Sequence, residues 1–277
     1  MSRIKGNAPE KLAVKEFWDK AACGEALYLQ GLERSDYEAH AEYRYRLEPY
    51  IPAFARFDET RGLRVLEIGV GLGADHQRFA AAGAVLSGID LTDRAIEQTR
   101  RRLSLFGLTS ELSTGDAEQL PFADNTFDVV YSWGVIHHSP DTPKAVSEIF
   151  RVLKPGGIGR VMIYHKWALV GLMLWLRYGL AVGRPFRSLA DIYASHLESP
   201  GTKAYSLPEA RQLFQDFRDV DISTVLTHGD LLESAAGQRH QGFVLTIARR
   251  LWPRTLLRRL FPKAGLFMLI QARKAQA

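Results

Sequence analysis

One short stretch of the sequence combines an acidic side chain with a glycine-spaced turn. Residues 65–73 read VLEIGVGLG, in which an apolar run typical of a strand covered on both faces contains Glu67. Glycine at positions 69, 71 and 73 would let the backbone turn sharply and approach a ligand closely. A carboxylate beside this turn would repel a pyrophosphate and attract an ammonium or sulfonium group. We therefore expect a nucleoside cofactor with positive charge, the alternative being a Glu67 that faces solvent or pairs with arginine.

The same glycines also fit a dinucleotide-binding fingerprint. Gly69, Gly71 and Ala74 match G-x-G-x-x-G/A, and Asp90 follows roughly 20 residues on, where a ribose-binding acid is expected. The glycines alone thus admit a nicotinamide cofactor. Glu67 favours S-adenosylmethionine (SAM), which carries an ammonium group, a sulfonium group and no phosphate.

Two more acidic residues fit a nucleoside ligand. Asp90 ends the strand-like run VLSGID and can accept hydrogen bonds from ribose hydroxyls. Asp116, in the loop GDAEQLPF, can accept a hydrogen bond from the adenine amine, although aspartate after glycine is also common in ordinary turns.

Strand and helix patterns alternate along the chain. This alternation predicts a parallel sheet with helices on both faces, and a ligand beyond the carboxyl ends of the strands. The predicted strands are 85–90, 110–114, 128–133, 158–164, 220–226 and 265–272, in addition to the opening run. The predicted helices are 74–82 closed by Gly83, one between Thr92 and Gly107, one between Thr142 and Pro155–Gly156, and one opened by a Ser206–Glu209 capping box and ending near Phe217.

Five motifs in order carry a resemblance to a known family: VLEIGVGLG, GIDLT, GDAEQLPF, FDVVYSWGVIHH and RVLKPGG. From about residue 61 to 164 the chain resembles the class I SAM-dependent methyltransferases, most closely the branch that contains the ubiquinone/menaquinone C-methyltransferases. The resemblance implies an α/β fold with a Rossmann-like, doubly wound, seven-stranded sheet, mostly parallel with an antiparallel last strand. It also implies SAM as the cofactor.

In that family the acid matching Glu67 lies near the methionine end of SAM, the acid matching Asp90 binds the ribose, and residues matching Asp116 and Ala117 flank the adenine. The resemblance thus implies a cofactor site made of Glu67, Gly69, Gly71, Gly73, Asp90, Leu91, Asp116, Ala117 and Ser132.

Two segments outside the motifs are expected to shape the acceptor site. Residues 1–60 would form an N-terminal helical cap on a SAM-binding domain of residues 61–277, and residues 166–205 would form a lid inserted after the fifth strand. The lid contains WALVGLMLWLRYGLAV, which is too short to span a bilayer and suits a lid, a core helix or a membrane-surface helix. Arginines interleaved with leucines between residues 249 and 260 would suit an anionic membrane. The cap is rich in aromatic residues: Trp18, Tyr28, Tyr37, Tyr43, Tyr45 and Tyr50.

Methyl transfer from a sulfonium requires alignment and exclusion of water more than a fixed catalytic set. His137 and His165 are the candidate bases, because imidazole titrates near neutrality, and a supporting or capping role is the alternative for each. The candidate contacts to the acceptor are His138, Tyr164, Lys203 and Tyr205. No metal site is predicted.

Composition limits the remaining possibilities. A single cysteine, Cys23, rules out an internal disulfide, and the first residues lack the apolar core of a signal peptide, so we expect a cytoplasmic protein, with peripheral contact to the inner membrane surface as an open alternative. A net charge of +5 and a pI of about 9.3 would permit contact with nucleic acid, anionic lipid or acidic substrates. The expected partner is a small apolar or aromatic acceptor and not a nucleic acid; the sequence predicts no oligomeric state.

Two other classes of enzyme compete with this interpretation. An NAD-dependent oxidoreductase would explain Gly69, Gly71 and Asp90, but it leaves Glu67 without a role. A nucleic-acid or protein methyltransferase fits the basic pI. Enzymes that methylate amino groups of nucleic acids usually carry a D/N-P-P-Y-like motif after the fourth strand, where this chain has SWGVIHH.

Overall fold

A seven-stranded sheet organises the computed structural model, which describes residues 8–21, 25, 29–233 and 249–276. Two residues singled out above, Cys23 and Tyr28, lie outside these ranges. The strands are β1 Arg64–Ile68, β2 Val85–Asp90, β3 Glu111–Thr114, β4 Phe127–Trp133, β5 Leu153–Tyr164, β6 Arg218–Val225 and β7 Phe267–Arg273. The helices are α1 Ala8–Lys20, α2 Arg34–Leu47, α3 Ile51–Ala55, α4 Ala74–Ala81, α5 Asp93–Leu105, α6 Thr142–Val152, α7 Leu169–Tyr178, α8 Leu189–His196, α9 Leu207–Leu213 and α10 Arg254–Leu260, with 3-10 turns at Phe57–Thr60, Ile136–His138 and Leu180–Val182.

The strand order is β3-β2-β1-β4-β5-β7-β6. The pairs β1–β2, β1–β4, β2–β3 and β4–β5 are parallel, whereas β7 runs antiparallel to both β5 and β6. The predicted sheet, mostly parallel with an antiparallel last strand, is confirmed. The order reverses at β1, where ligands of such sheets bind.

The helix termini follow the local sequence signals. The Thr92 hydroxyl accepts a hydrogen bond from the amide of Ala95, as expected of an N-cap, and Ser206 and Glu209 form the predicted capping box. The last helix boundary differs, because α9 ends at Leu213 and the following Phe214 and Phe217 turn into the core.

The start of β5 also differs from the prediction. The helix α6 ends at Val152, and the strand begins at Leu153 rather than at residue 158. Leu153 pairs with Phe127, and the register then shifts so that Ile158 pairs with Val129. The proline and glycines between these positions form an irregularity within the strand instead of ending the helix, as bulges at the start of a strand do.

The N-terminal helices pack directly on the sheet. Ile51, Ala55 and Phe57 are buried against a cluster that includes Phe79 and Tyr131. The inserted segment forms α7 and α8, whose Leu174, Ile192 and Tyr193 pack with the ends of β5 and β7. Among the helices of the described residues, none is both long and apolar enough to cross a membrane.

Candidate cofactor and acceptor site

A cavity of about 970 Å³ lies at the carboxyl ends of β1, β2 and β4. Its walls come from the β1–α4 turn and the loops after β2, β3 and β4, together with α1, α2 and α7. Eight of the nine predicted cofactor residues line it: Glu67, Gly69, Gly71, Gly73, Asp90, Leu91, Asp116 and Ala117. The ninth, Ser132, is fully buried within β4 and does not line the cavity, so we leave it out of the site.

The glycine turn is held in a left-handed conformation. Gly69 has φ +81°, and a Cβ atom there would overlap the side chain of Val135. Gly71 has φ +53°, and a Cβ atom there would meet open space. The amide of Gly71 donates to Asp90 Oδ2 at 3.1 Å, which ties the turn to the end of β2. The turn therefore leaves room for a ligand against bare backbone.

The carboxylate of Asp90 is fixed at the edge of the same space. Its Oδ1 accepts hydrogen bonds from the amide of Thr92 at 3.0 Å and from the Thr92 hydroxyl at 2.9 Å. Burial raises the pKa of Asp90, although these donors oppose the shift. This is the position that the sequence resemblance assigns to the ribose hydroxyls.

Glu67 is 3% exposed and begins a chain of hydrogen bonds. Its Oε2 lies 2.8 Å from His76 Nδ1, and His76 Nε2 lies 2.8 Å from Ser110 Oγ. The Ser110 hydroxyl donates to the Leu86 carbonyl, so it accepts from His76 Nε2–H, and His76 Nδ1 in turn accepts from a protonated Glu67. Burial, then the charge of Asp75, raises the pKa of Glu67 well above 4.5, and burial lowers the pKa of His76 to about 3. The raised pKa thus favours the neutral form of Glu67.

Asp75, at the start of α4, is a site residue that the sequence interpretation missed. Arg44 Nη2 lies 2.8 Å from Asp75 Oδ2, and the hydroxyls of Tyr45 and Tyr131 donate to the same carboxylate at 2.9 Å. Burial alone would raise the pKa of Asp75, but Arg44 and these donors hold it below its usual value. Its position two residues after the last glycine of the turn was the available signal. The cluster fastens α2 to the rim of the cofactor site.

The charges of the cofactor half suit a cationic ligand. The carboxyl groups of Glu67, Asp75, Asp90 and Asp116 line it, with Lys11 and Arg44 as basic residues among those that the structure describes, and a cationic ligand would favour the ionised form of Glu67. Both cations are already paired, since Lys11 contacts Asp116 and Glu118, and Arg44 contacts Asp75 and Glu48. A pyrophosphate would meet this carboxylate-rich wall unfavourably, whereas the ammonium and sulfonium groups of SAM would be attracted to it.

The remainder of the cavity is mainly apolar. Its apolar walls include Phe17 and Trp18 of α1, Trp133, Met162, Val170, Met173, Leu174, Leu197, Leu266 and Phe267. The polar side chains in these walls include Glu48, His138, Tyr164, Arg177, Glu198, Thr227 and His228. We call this part the acceptor half.

Glu198 is the centre of a histidine–glutamate cluster formed by His137, His138 and Glu198. The Tyr164 hydroxyl donates to Glu198 Oε2 at 2.7 Å, and His138 Nε2 lies 3.3 Å from the same oxygen. The Ser199 hydroxyl and His138 Nδ1 are 2.9 Å apart, which orients the imidazole. One donor atom from each member of the cluster lies within 4.8 Å of the others, so the described part of the chain offers one group that could hold a metal ion here.

Glu48 follows the last residue of α2 and lies between the two halves of the cavity. Burial raises its pKa to about 7, although Arg44, with Nη1 at 3.3 Å from Oε2, opposes the shift. Arg44 therefore contacts both Glu48 and the Asp75 carboxylate on the cofactor side. Nothing in the local sequence distinguishes Glu48 from the other acids of α2.

The structure separates the two candidate bases from the cavity. His137 is fully buried, with ring centroids 4.2 Å from His138 and 4.0 Å from Tyr164, and it does not line the cavity. Burial, then the neighbouring His138 and Lys203, lowers its pKa well below 6.5. His165 Nδ1 lies 3.1 Å from the carbonyl of Gly265, and this side chain is also absent from the cavity wall. Neither histidine is placed to take a proton from an acceptor.

The four predicted acceptor contacts divide into two pairs. His138 and Tyr164 line the acceptor half, and their contact with an acceptor stays a prediction. Lys203 and Tyr205 instead line a different pocket of about 1030 Å³ beside α6 and α9. The Lys203 ammonium donates to the carbonyls of Ser139 and Pro140 and so stabilises the loop after β4.

Comparison with known proteins agrees with this geometry. Residues 66–161 match the family model described as a methyltransferase domain. Sterol 24-C-methyltransferase erg6 of Aspergillus fumigatus is 32% identical over 60% of this chain and 53% of its own length. Fatty-acid O-methyltransferase of Mycolicibacterium smegmatis is 38% identical over 41% of each chain. The chain spans about half the length of the curated relatives it matches.

The fold has a solved counterpart in phosphoethanolamine N-methyltransferase 2 of Haemonchus contortus, in complex with phosphomonomethylethanolamine and S-adenosylhomocysteine. The match has a TM-score of 0.60 and 20% identity, and it covers 95% of this chain and 60% of the other. Residues 66–161 thus match a methyltransferase domain, and both the glycine turn and the acidic wall beside it lie within this matched region.

Proposed function

We propose that this chain transfers the methyl group of SAM to a small, mainly apolar acceptor. The observation that carries the proposal is the continuous cavity, whose acidic half suits SAM and whose other half is walled by apolar side chains. The names of the sterol and fatty-acid methyltransferases to which the chain is similar agree with an apolar acceptor. A concave, mainly apolar site also favours a small molecule over a nucleic acid or a protein.

The polar groups of the acceptor half would orient the acceptor. A hydroxyl, amine or other donor on an otherwise apolar molecule could bond to Glu198, whose Oε2 is positioned by Tyr164 and His138. Bound SAM supplies the methyl group on its sulfonium. The apolar walls would exclude water and hold the acceptor in line with that group.

Glu48 is the residue of the cavity best suited to take a proton. Burial raises its pKa to about 7, near neutrality, which suits general base catalysis, and it lines the cavity where the two halves meet. Since His137 and His165 do not reach the cavity, Glu48 replaces them as the proposed base. The ubiquinone/menaquinone branch of the family stays a prediction, as does a division into a cap of residues 1–60 and a catalytic domain.

The decisive experiment supplies isotopically labelled SAM with one acceptor class at a time: a sterol, a long-chain fatty acid, a quinol, transfer RNA and a protein extract. Mass spectrometry then identifies labelled products. We expect a labelled product from one class of small apolar acceptor. The variant Glu48→Gln should turn over about 100-fold more slowly with unchanged SAM affinity, because general base catalysis typically contributes that much. Glu38→Gln, an exposed position on the helix that Glu48 follows, is the matched control. Labelled RNA or protein without a labelled small molecule would refute the proposal.

A further inference from the structure

Exposed apolar side chains concentrate on one face of the molecule. Among the described residues, 13 large hydrophobic side chains are exposed, and ten of them fall within residues 167–186 and 251–261. The lid contributes Trp167, Leu172, Leu176, Leu180, Val182 and Phe186, of which Phe186 is 100% exposed. The second segment contributes Leu251, Leu256, Leu260 and Phe261. Soluble proteins rarely gather exposed apolar residues in this way without a binding role.

The two segments lie side by side. The amide of Leu169 at the start of α7 donates to the carbonyl of Ala264 at 2.9 Å. The Asp230 side chain accepts from the amides of Val170 and Leu266, and its carbonyl accepts from Trp252 Nε1 at 2.9 Å. Because α7 and the region around α10 share these anchors, their exposed side chains form one surface, which we call the apolar–basic face.

The charge of this face has a single sign. Residues 166–187 and 249–263 contain ten lysines and arginines and no aspartate or glutamate, in a chain whose net charge is +5. The positive charge of these two segments therefore exceeds the net charge of the whole chain. Arg184, Arg259 and Lys263 are exposed and form no ion pair with another residue that the structure describes. Cations that surround exposed leucine and phenylalanine match an anionic lipid surface, which offers phosphate groups above an apolar layer.

The face also adjoins the cavity. Leu176 is 42% exposed and at the same time lines the cavity, as do Val170, Met173 and Arg177 of the same helix. The buried residues of α7, including Leu174, face the interior. A single helix therefore separates the acceptor half from the surface on which the exposed apolar side chains lie.

We propose that the apolar–basic face docks on an anionic phospholipid bilayer, with α7 and α10 lying at its surface. The contact is peripheral, and it places the wall of the acceptor half against the membrane. Docking depends on the surface and not on methyl transfer, so it can be tested without a known acceptor.

The test is co-sedimentation of the whole chain with vesicles of phosphatidylglycerol and phosphatidylcholine, and with vesicles of phosphatidylcholine alone. We expect binding to the anionic vesicles that weakens as salt is raised. The triple variant Arg184→Gln, Arg259→Gln, Lys263→Gln should bind about 100-fold more weakly, since each cation near an anionic surface contributes about fivefold. Its matched control exchanges three exposed arginines elsewhere, Arg61, Arg101 and Arg211, for glutamine and should bind as the native chain does.

A second pair of variants tests the apolar part. The triple variant Leu172→Ser, Leu180→Ser, Phe186→Ser should bind at least about tenfold more weakly. It removes three apolar side chains that would be buried in the membrane. The control Leu12→Ser, Leu32→Ser, Val85→Ser removes exposed apolar residues outside the face and should leave binding unchanged. Equal binding by variants and controls, or no binding to either vesicle, would overturn the proposal. A dimer in solution that the Leu172 variant abolishes, without vesicle binding, would assign the face to a second copy of the chain instead.

Discussion

Replacement of Glu67 by glutamine should change both the strength of SAM binding and its dependence on pH. Burial, then the charge of Asp75, raises the pKa of Glu67 well above 4.5, which favours a protonated Glu67 that donates to His76. A cationic cofactor nearby favours the ionised form, so binding of SAM should expel the proton. The affinity for SAM is then expected to increase as pH rises towards the raised pKa of Glu67.

The magnitude follows from one proton released for each SAM bound. Below the raised pKa, the dissociation constant should fall about tenfold for each pH unit. The range from pH 5.5 to about 7.5 keeps the ammonium group of SAM protonated, so this slope reports the protein. Glu67→Gln replaces the carboxyl group by an amide, which keeps the size and the hydrogen-bonding ability of the side chain but cannot be ionised. It should lose about 10- to 150-fold in affinity, the contribution of a hydrogen bond to a charged group, and its slope should vanish.

Isothermal titration calorimetry measures both quantities. Titrations in buffers with different ionisation enthalpies count the protons that binding releases, and Glu97→Gln, an exposed position on α5, serves as the control. The reasoning fails if the native chain binds SAM with the same affinity across this range, if binding takes up protons, or if Glu67→Gln keeps the native slope.

Three further predictions concern the rim of the site. Gly69→Ala should lower the free energy of unfolding by about 2 kcal/mol in urea titration, because φ is +81° and the new Cβ overlaps Val135. Val135→Ala in the same chain should recover part of this loss. Full stability of the single Gly69→Ala variant would contradict the geometry. Arg44→Met should lower the free energy of unfolding by about 3 kcal/mol, since it leaves Asp75 buried without its cation. A urea unfolding curve identical to that of the native chain would show that the Arg44–Asp75 pair does not hold α2 in place. Treatment with a chelator should leave turnover unchanged, and loss of activity restored by a divalent cation would instead assign a metal to the histidine–glutamate cluster.

The sequence was most informative where short-range patterns decide the structure. The apolar run before Gly69 predicts β1, and Thr92 and Ser206 mark helix starts, because a strand period or a cap depends on a few adjacent residues. Glu67 and Asp90 could be placed in the site for the same reason, since they lie at the carboxyl ends of two neighbouring parallel strands.

Residues that act through distant contacts could not be found in this way. Glu48 has its raised pKa because α2 carries it into the cavity beside Arg44, and Glu198 gains its partners only when the lid folds onto Tyr164. His137, in contrast, was selected from the sequence but does not line the cavity, although its place after β4 suggested access to the acceptor. The 3-10 turn at Ile136–His138 points this side chain inward and leaves its neighbour His138 at the cavity wall.

The two ends of the segment 166–205 lie next to each other at the sheet. The Lys166 amide donates to the Tyr205 carbonyl at 2.9 Å, the Tyr205 amide donates to the Tyr164 carbonyl at 2.8 Å, and a parallel bridge joins His165 to Tyr205. A segment whose ends already touch can be exchanged for one of another length without moving the strands on either side. Residues 166–205 are therefore a natural unit for grafting: a chimera that carries the corresponding segment of another methyltransferase would inherit a different acceptor wall while keeping Glu67, Asp90 and the rest of its own SAM site.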